Sequence, residues 1–203
     1  PVTAACAAAG LVVGGISLTG LAGKFSSIVF ALAGENQIVT LAVAGVLCIL
    51  LGMGMPTPSA YILAAVLVAD ALIALNIEVL TAHMFLLFFA VLSAITPPVA
   101  VAAYAASSIA EANPLAIAGT ALRLSGVLFI VPFAFVRAPA LLAQGSAAEI
   151  AAALVLGVAG VAALAVASEG YLRGRLSGWQ RAVAALLGLV LLLGLPPGAG
   201  TGG

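Results

Sequence analysis

Charge is what this sequence has least of. Of its 203 residues, six are Lys or Arg and six are Asp or Glu, so 6% of the chain is charged against 65% hydrophobic. A soluble domain needs a far wetter surface, and the composition excludes one in favour of an integral membrane protein. The mean hydropathy of +1.37 points the same way. A formal net charge of zero gives no reason to expect nucleic acid or any other polyanion as a partner. Two cysteines and one histidine are too few for a ligand set. Cys6 and Cys48 both lie in apolar runs, where a thiol behaves as a small hydrophobe, so neither a structural disulfide nor a transition-metal site is expected. No HExxH, GxGD or Ser/Lys spacing is present, and without a nucleophile and base in mutual reach no enzyme is expected. The opening "PVTAACAAAG" has no initiator Met, basic n-region or cleavage site, and reads as the cut end of something longer.

What the chain does have is apolar runs, interrupted at particular places. A span needs about 20 apolar residues, so the length allows about six. Residues 2–23 hold six Gly or Ser positions, which suits close packing inside a bundle. Lys24 then opens a short amphipathic or broken segment that ends in a polar turn at 34–37. Residues 38–51 are apolar but reach Gly52, Gly54 and "PTPSA" too soon for a comfortable crossing, and a second run, 61–75, follows at once. Two such runs joined by a Gly/Pro/Thr/Ser tip predict a re-entrant hairpin over about 38–75. Non-helical backbone at membrane depth is tolerated only when buried in protein or lining a water-filled cavity. The run from 82 meets Thr96-Pro97-Pro98, where two missing N–H donors and the restriction on the residue before proline predict a broken helix over about 82–110. After the turn at 111–114 come three further runs, 115–136, 147–167 and 179–195. Arg173, Arg175 and Arg181 place the last loop in the cytoplasm by the positive-inside rule, and the tail "PPGAGTGG" is expected to be disordered.

The hairpin tip, with Gly52, Gly54, Thr57 and Ser59, and the break at Thr96 each offer carbonyls without helical partners and short hydroxyls. Half-helix C-termini and unwound carbonyls coordinate small cations, whereas half-helix N-termini favour anionic groups. Oxygen ligands without a carboxylate suit a weakly held monovalent ion, and sodium fits. The competing reading is structural, because Gly and Pro are common in membrane helices and a proline kink needs no ion. Two breaks within about 40 residues, each with hydroxyls beside it, favour a site.

"LGMGMPTPSAYI", "HMFLLFFAVLSAITPPVAVAAYAASSIA" and "PLAIAGTALRLSGVLFIVPFAFV" together resemble the C-terminal part of the large membrane subunit of tripartite ATP-independent periplasmic (TRAP) transporters. "GISLTGLAGKFSSIVFALAG" is similar to the fused permeases of the TAXI branch. The resemblance implies an all-α polytopic bundle that forms the second inverted repeat of an elevator-type transporter. Residues 1–136 would be the repeat and 137–203 the C-terminal transmembrane helices with a short tail. It also implies sodium-coupled import of an organic anion, a carboxylate, in a bacterial or archaeal inner membrane. A periplasmic substrate-binding protein would deliver the anion, and the first repeat and fused small-subunit helices would lie upstream of Pro1. By that likeness the sodium-binding features fall on Gly52, Gly54, Thr57, Ser93, Thr96 and Val99. Ser59, Tyr104, Ser107 and Ser108 are candidates to face substrate, against the alternative of packed helix contacts. Pro58 departs from the pattern, standing where a second Thr or a small residue is expected.

Three ionisable residues inside apolar runs have functional readings of their own. Asp70 is the titratable group a proton-coupled transporter would want, and its competing reading is a wetted place at the hairpin's outer end. His83 is expected at the interface as an anchor. Arg123 could attract an anionic substrate or pair with Glu111, but that pair is too distant on one helix face, and snorkelling is expected. Beside a sodium-coupled transporter, the alternatives are a proton-coupled one and a structural membrane subunit, which has no need of hydroxyls gathered at two breaks.

Overall fold

The computed structural model describes residues 2–33 and 36–194. The polar turn at 34–37 falls partly outside them, and the tail expected to be disordered and the side chain of Cys6 fall wholly outside. The fold is all-α: among the described residues there is no β-strand, only an isolated bridge between Tyr171 and Arg175. Contacts divide the chain into two compact units, 1–122 and 123–203.

In the first unit, α1 (Val2–Thr19) and α2 (Leu21–Ala33) meet at Gly20. Its φ of +66° is open to glycine without steric cost, and the chain bends there by 78°. Residues 2–23 are therefore not one straight helix. Gly10, Gly14 and Gly15 face open space, so the close packing expected of α1 is not made among the described residues.

The hairpin follows. Asn36 caps α3 (Gln37–Gly52) by accepting from the Ile38 and Val39 amides at 3.0 and 3.2 Å, which satisfies N–H groups that have no helical partner. Met53 to Pro56 form the tip, and α4 (Thr57–Ile73) returns. At 16 and 17 residues, the limbs are about 24 and 26 Å long, short of the roughly 30 Å hydrocarbon core. Where length allowed six spans, two helices among the described residues, Pro114–Arg137 and Ala147–Glu169, are long and apolar enough to cross, or three if α1 and α2 form one bent span.

Glu78 caps α5 (Val79–Ser93) through the Thr81 amide and hydroxyl at 3.2 and 3.1 Å. Leu41, Ala44, Gly45, Cys48 and Gly52 of α3 are buried at helical spacing, as are Phe85, Leu86, Phe89 and Ser93 of α5, and the two sets meet. A methyl on Gly45 would stand 2.8 Å from the Phe89 ring, itself 4.8 Å centroid to centroid from Phe85. The Cys48 thiol donates to the Leu86 carbonyl at 3.2 Å. After a break at 94–100, α6 (Val101–Ala110) runs to Glu111, and α7 (Pro114–Ser125) begins. Ala118 packs on Ala100 and Ala103.

The run 115–136 is not a regular helix. α7 gives way to a 3₁₀ turn, Gly126–Phe129, and then to α8 (Val131–Arg137). Pro132 has no N–H to carry the α-helical ladder through this stretch. In the second unit, Val127, Ala134, Leu164 and Leu192 form the core. α9 (Ala147–Glu169) starts from a reciprocal Ser146/Glu149 capping box and ends at Gly170, φ +70°. α10 (Gly178–Leu193) crosses it with glycine against glycine: a methyl on Gly188 would lie 2.9 Å from the Gly160 carbonyl, and one on Gly160 3.2 Å from that of Gly188. Val155, Val158, Leu186, Leu187 and Val190 point outward, between 53% and 70% exposed, the surface expected of helices bathed in lipid rather than water.

Arg181 closes the loop between these two helices. Its Nε and Nη2 donate to the Ala167 and Ser168 carbonyls at 2.9 and 3.0 Å, satisfying the negative end of α9. Arg181→Gln is expected to lower stability by about 1 kcal/mol, seen as a reduced Tm in detergent, whereas Arg173→Gln, on an exposed bend of the same loop, leaves it unchanged.

Candidate ion and substrate site

The residues that make the site come from two segments about 40 positions apart, and the packing of α3 on α5 brings them together. Gly52, the last residue of α3, lies against Ser93, the last of α5. A methyl on Gly52 would run into the Ser93 hydroxyl and sit 2.9 Å from Ser93 Cβ and 3.3 Å from Ala60 Cβ. One residue past the cap, Gly54 takes φ +80°, and a methyl there would touch Val99 Cγ1 at 3.5 Å. The tip and the break are thus in contact at two points.

At both places the backbone leaves the helical ladder. In the tip, Met53 and Met55 donate to Leu50 and Gly52 at 3.4 and 3.2 Å, while no backbone amide among the described residues donates to the carbonyls of Met53, Gly54 and Met55. In the break, Ala100 adopts a left-handed conformation, φ 38° and ψ 54°. The Ala102 amide reaches back to the Ala94 carbonyl at 3.0 Å, and Ala100 donates to Thr96 at 3.1 Å. No backbone amide among the described residues donates to the carbonyls of Ile95, Pro97, Pro98 and Val99. Two helix C-termini, of α3 and α5, and two N-termini, of α4 and α6, therefore meet around the same contacts. Neither N-terminus has a side-chain cap.

The hydroxyls differ in what they have free. Ser93, 2% exposed, donates to Ala90 at 2.7 Å, and Thr96 donates to Leu92 at 2.7 Å. Each hydrogen is spent on its own helix, which turns the oxygen lone pairs outward to accept or to coordinate. The half-buried Thr57 hydroxyl opens α4 and has no hydrogen-bond partner among the described residues. Pro58 stands in the first turn of α4, where a missing N–H would have lacked a helical partner anyway, so its departure from the expected pattern costs the fold nothing.

The candidate substrate residues are distributed differently. Ser59 is buried within α4. Tyr104 is half exposed, and the Ser107 and Ser108 hydroxyls donate to the Tyr104 and Ala105 carbonyls at 2.7 and 2.8 Å. Ser107 is seven residues past Ala100, about 10 Å along the axis, so these two serines stand away from the tip. Asp70 is exposed, three residues before α4 ends, thirteen residues from Thr57 and so about 20 Å away. His83 is not a lone interfacial anchor: its Nδ1 lies 3.0 Å from the Tyr61 hydroxyl, tying α5 to α4. Arg123 reaches Glu169 at 3.5 Å, both exposed, a surface pair worth little.

Two features of the site escaped sequence reasoning. The left-handed turn at Ala100 has no glycine to announce it. The seat for the hairpin, Gly45, Cys48 and Gly52 at small-residue spacing on one face of α3, was visible as a pattern, but nothing in the chain named α5 as the partner.

No group of three or more His, Cys, Asp or Glu that would hold a metal is present among the described residues; the oxygens here are those of carbonyls and hydroxyls, which are hard ligands. No curated protein and no solved structure matches the chain. The family model described as Tripartite ATP-independent periplasmic transporter, DctM component, matches residues 1–150, about three quarters of the 203. With a transporter family matched over a hairpin tip and a helix break in contact, the chain belongs to the DctM component family of tripartite ATP-independent periplasmic transporters.

Proposed function

We propose that this chain is the second-repeat half of the transport core, with C-terminal helices, of a sodium-coupled permease of the TAXI branch. In this reading it works in a bacterial or archaeal cytoplasmic membrane and takes an organic carboxylate from a periplasmic binding protein. The observation that carries the proposal is the double contact of tip and break, Gly52 on Ser93 and Gly54 on Val99. A cation between the C-termini of α3 and α5 is held by carbonyls of the tip and break, with lone pairs of Thr57, Ser93 and Thr96 beside them. A carboxylate is favoured at the uncapped N-termini of α4 and α6. Sodium seated between tip and break closes the hairpin on the break, and a coupling of about 1 to 3 kcal/mol between ion and substrate suffices to make closure conditional on both.

Proton coupling through Asp70 is the weaker alternative, since that carboxylate lies about 20 Å along α4 from the tip. A structural subunit has no use for open carbonyls at two breaks.

The experiment is uptake by the full-length permease in proteoliposomes, with its binding protein and a panel of organic anions, under an inward sodium or proton gradient. Sodium-driven uptake is expected. Thr96→Ala should raise the half-saturating sodium concentration about tenfold, the worth of one charge-assisted oxygen contact, while Thr96→Ser should not. Uptake driven by protons alone, or the same sodium dependence in Thr96→Ala, would move the coupling site away from the break.

A further inference from the structure

The transport reading leaves one contact of the hairpin without a role. α4 opens at the tip with Thr57, and no side-chain cap holds its first turn. Four residues on, about 6 Å along the axis, Tyr61 occupies the same helix face as Thr57. Its hydroxyl lies 3.0 Å from Nδ1 of His83, 22 positions away in the chain, and the contact is part-buried. The two rings meet edge to face, 6.1 Å between centroids at 65°, so the tie is packed as well as bonded. His83 heads a stripe of α5 that continues at helical spacing through Leu86 and Ala90 to Ser93, all three of them buried. The bond therefore joins the face of α4 that carries Thr57 to the stripe of α5 that ends in Ser93, and both residues bring oxygens to the proposed ion site.

A neutral imidazole can accept the Tyr61 O–H at Nδ1, whereas a protonated one can only donate there. The phenol hydrogen must then turn away, and the ring carries a charge among apolar helices. The helices packed on α5 bring few other groups that carry or take up a proton. α3 has Cys48, whose thiol is spent on the Leu86 carbonyl. α4 has Asp70, exposed and nine residues beyond Tyr61, about 14 Å along the axis. Behind α4, α2 has Lys24, which is exposed, and α1 has no charged residue. Before α5 itself, Glu78 stands five residues from His83 and accepts from the Thr81 amide and hydroxyl. We infer that Tyr61 and His83 are a positioning pair for the ion site: the neutral pair fixes the first turn of α4, and with it the Thr57 oxygen, against α5, and protonation of His83 releases that turn. The inference rests on the sodium reading above. Because the acceptor exists only on the neutral ring, sodium is held more tightly on the alkaline side and less tightly as the pH falls.

The test follows the thermal stabilisation of the full-length permease in detergent by sodium chloride, with choline chloride holding the ionic strength constant. It is run at about pH 8 and about pH 5, the limits between which histidine side chains ordinarily change charge. In the wild type the half-saturating sodium concentration is expected to rise about fivefold from the higher pH to the lower, the net worth of one hydrogen bond. Tyr61→Phe, which keeps the ring contact and removes the hydroxyl, should show the raised value at both. His83→Asn, which sets an amide oxygen near the place of Nδ1 and does not titrate, should keep the lower value at both. The same half-saturating sodium at both pH values in the wild type, or an unchanged pH response in His83→Asn, would overturn the inference and leave the sodium reading standing. So would a pH response that disappears in Asp70→Asn instead. No stabilisation by sodium at either pH would overturn both.

Discussion

Gly52→Val is expected to cut sodium-driven uptake severely while the protein still inserts and folds. The Cβ alone meets Ser93 and Ala60, and the two further methyls have nowhere to go without lifting the end of α3 off α5. Overpacking of this kind typically costs about 1 to 3 kcal/mol. Here the strain falls on the state in which the tip is closed onto the break, so the closed hairpin loses roughly a factor of 5 to 150 in population. Gly52→Ala should show a smaller version of the same defect. Wild-type helix content by circular dichroism in both variants would separate a defect in closure from a loss of fold. Gly119→Ala is the control: a methyl there meets nothing within 4 Å, and uptake should be unchanged. If Gly52→Val transports normally, the contact between tip and break is not part of the cycle.

Gly188→Leu should have the largest effect on stability. A Cβ at this position would lie 2.6 Å from Leu164 Cγ and 2.9 Å from the Gly160 carbonyl. Leu164 can turn aside, but the carbonyl belongs to the backbone of α9 and cannot move without the helix. The crossing of α9 and α10 would have to widen, and membrane helices associate by the close packing that small residues allow, not by a hydrophobic drive. A loss of about 3 kcal/mol is expected, read as a Tm lowered in detergent and poor recovery of folded protein. Gly174→Ala, in the loop and facing open space, should behave as wild type. Gly188→Leu without effect on Tm would mean that α9 and α10 are held apart in the assembled membrane.

The parts of this molecule that were legible in the sequence are those written in local chemistry. Gly52, Gly54 and Pro56 mark a tip because glycine and proline remove the side chains and donors a helix needs, and Pro97 with Pro98 interrupts α5 for the same reason. Pairing was not legible. Gly52 meets Ser93 across 41 positions, and nothing in either residue names the other. Irregularity without a strong breaker was also hidden: Ala100 turns left-handed as a plain alanine, and the run 115–136 looks uniform although it passes through a 3₁₀ turn. The family match supports the resemblance to TRAP permeases found in the tip and break motifs, and the coupling ion and substrate rest on the experiments above.

The shortness of the hairpin also sets an electrical scale. An upright α3 of 16 residues carries its tip about 24 Å into a core of about 30 Å, leaving roughly a fifth of the thickness beyond it. A monovalent cation that reaches the tip from that nearer side falls through only about that fraction of the membrane potential, roughly 0.5 of the 2.3 kcal/mol that a full crossing yields per 100 mV. In the proposed sodium-coupled cycle the remaining four fifths would be traversed by movement of the loaded protein itself. Voltage would then act weakly on how tightly the ion is held and strongly on how fast the occupied carrier turns over.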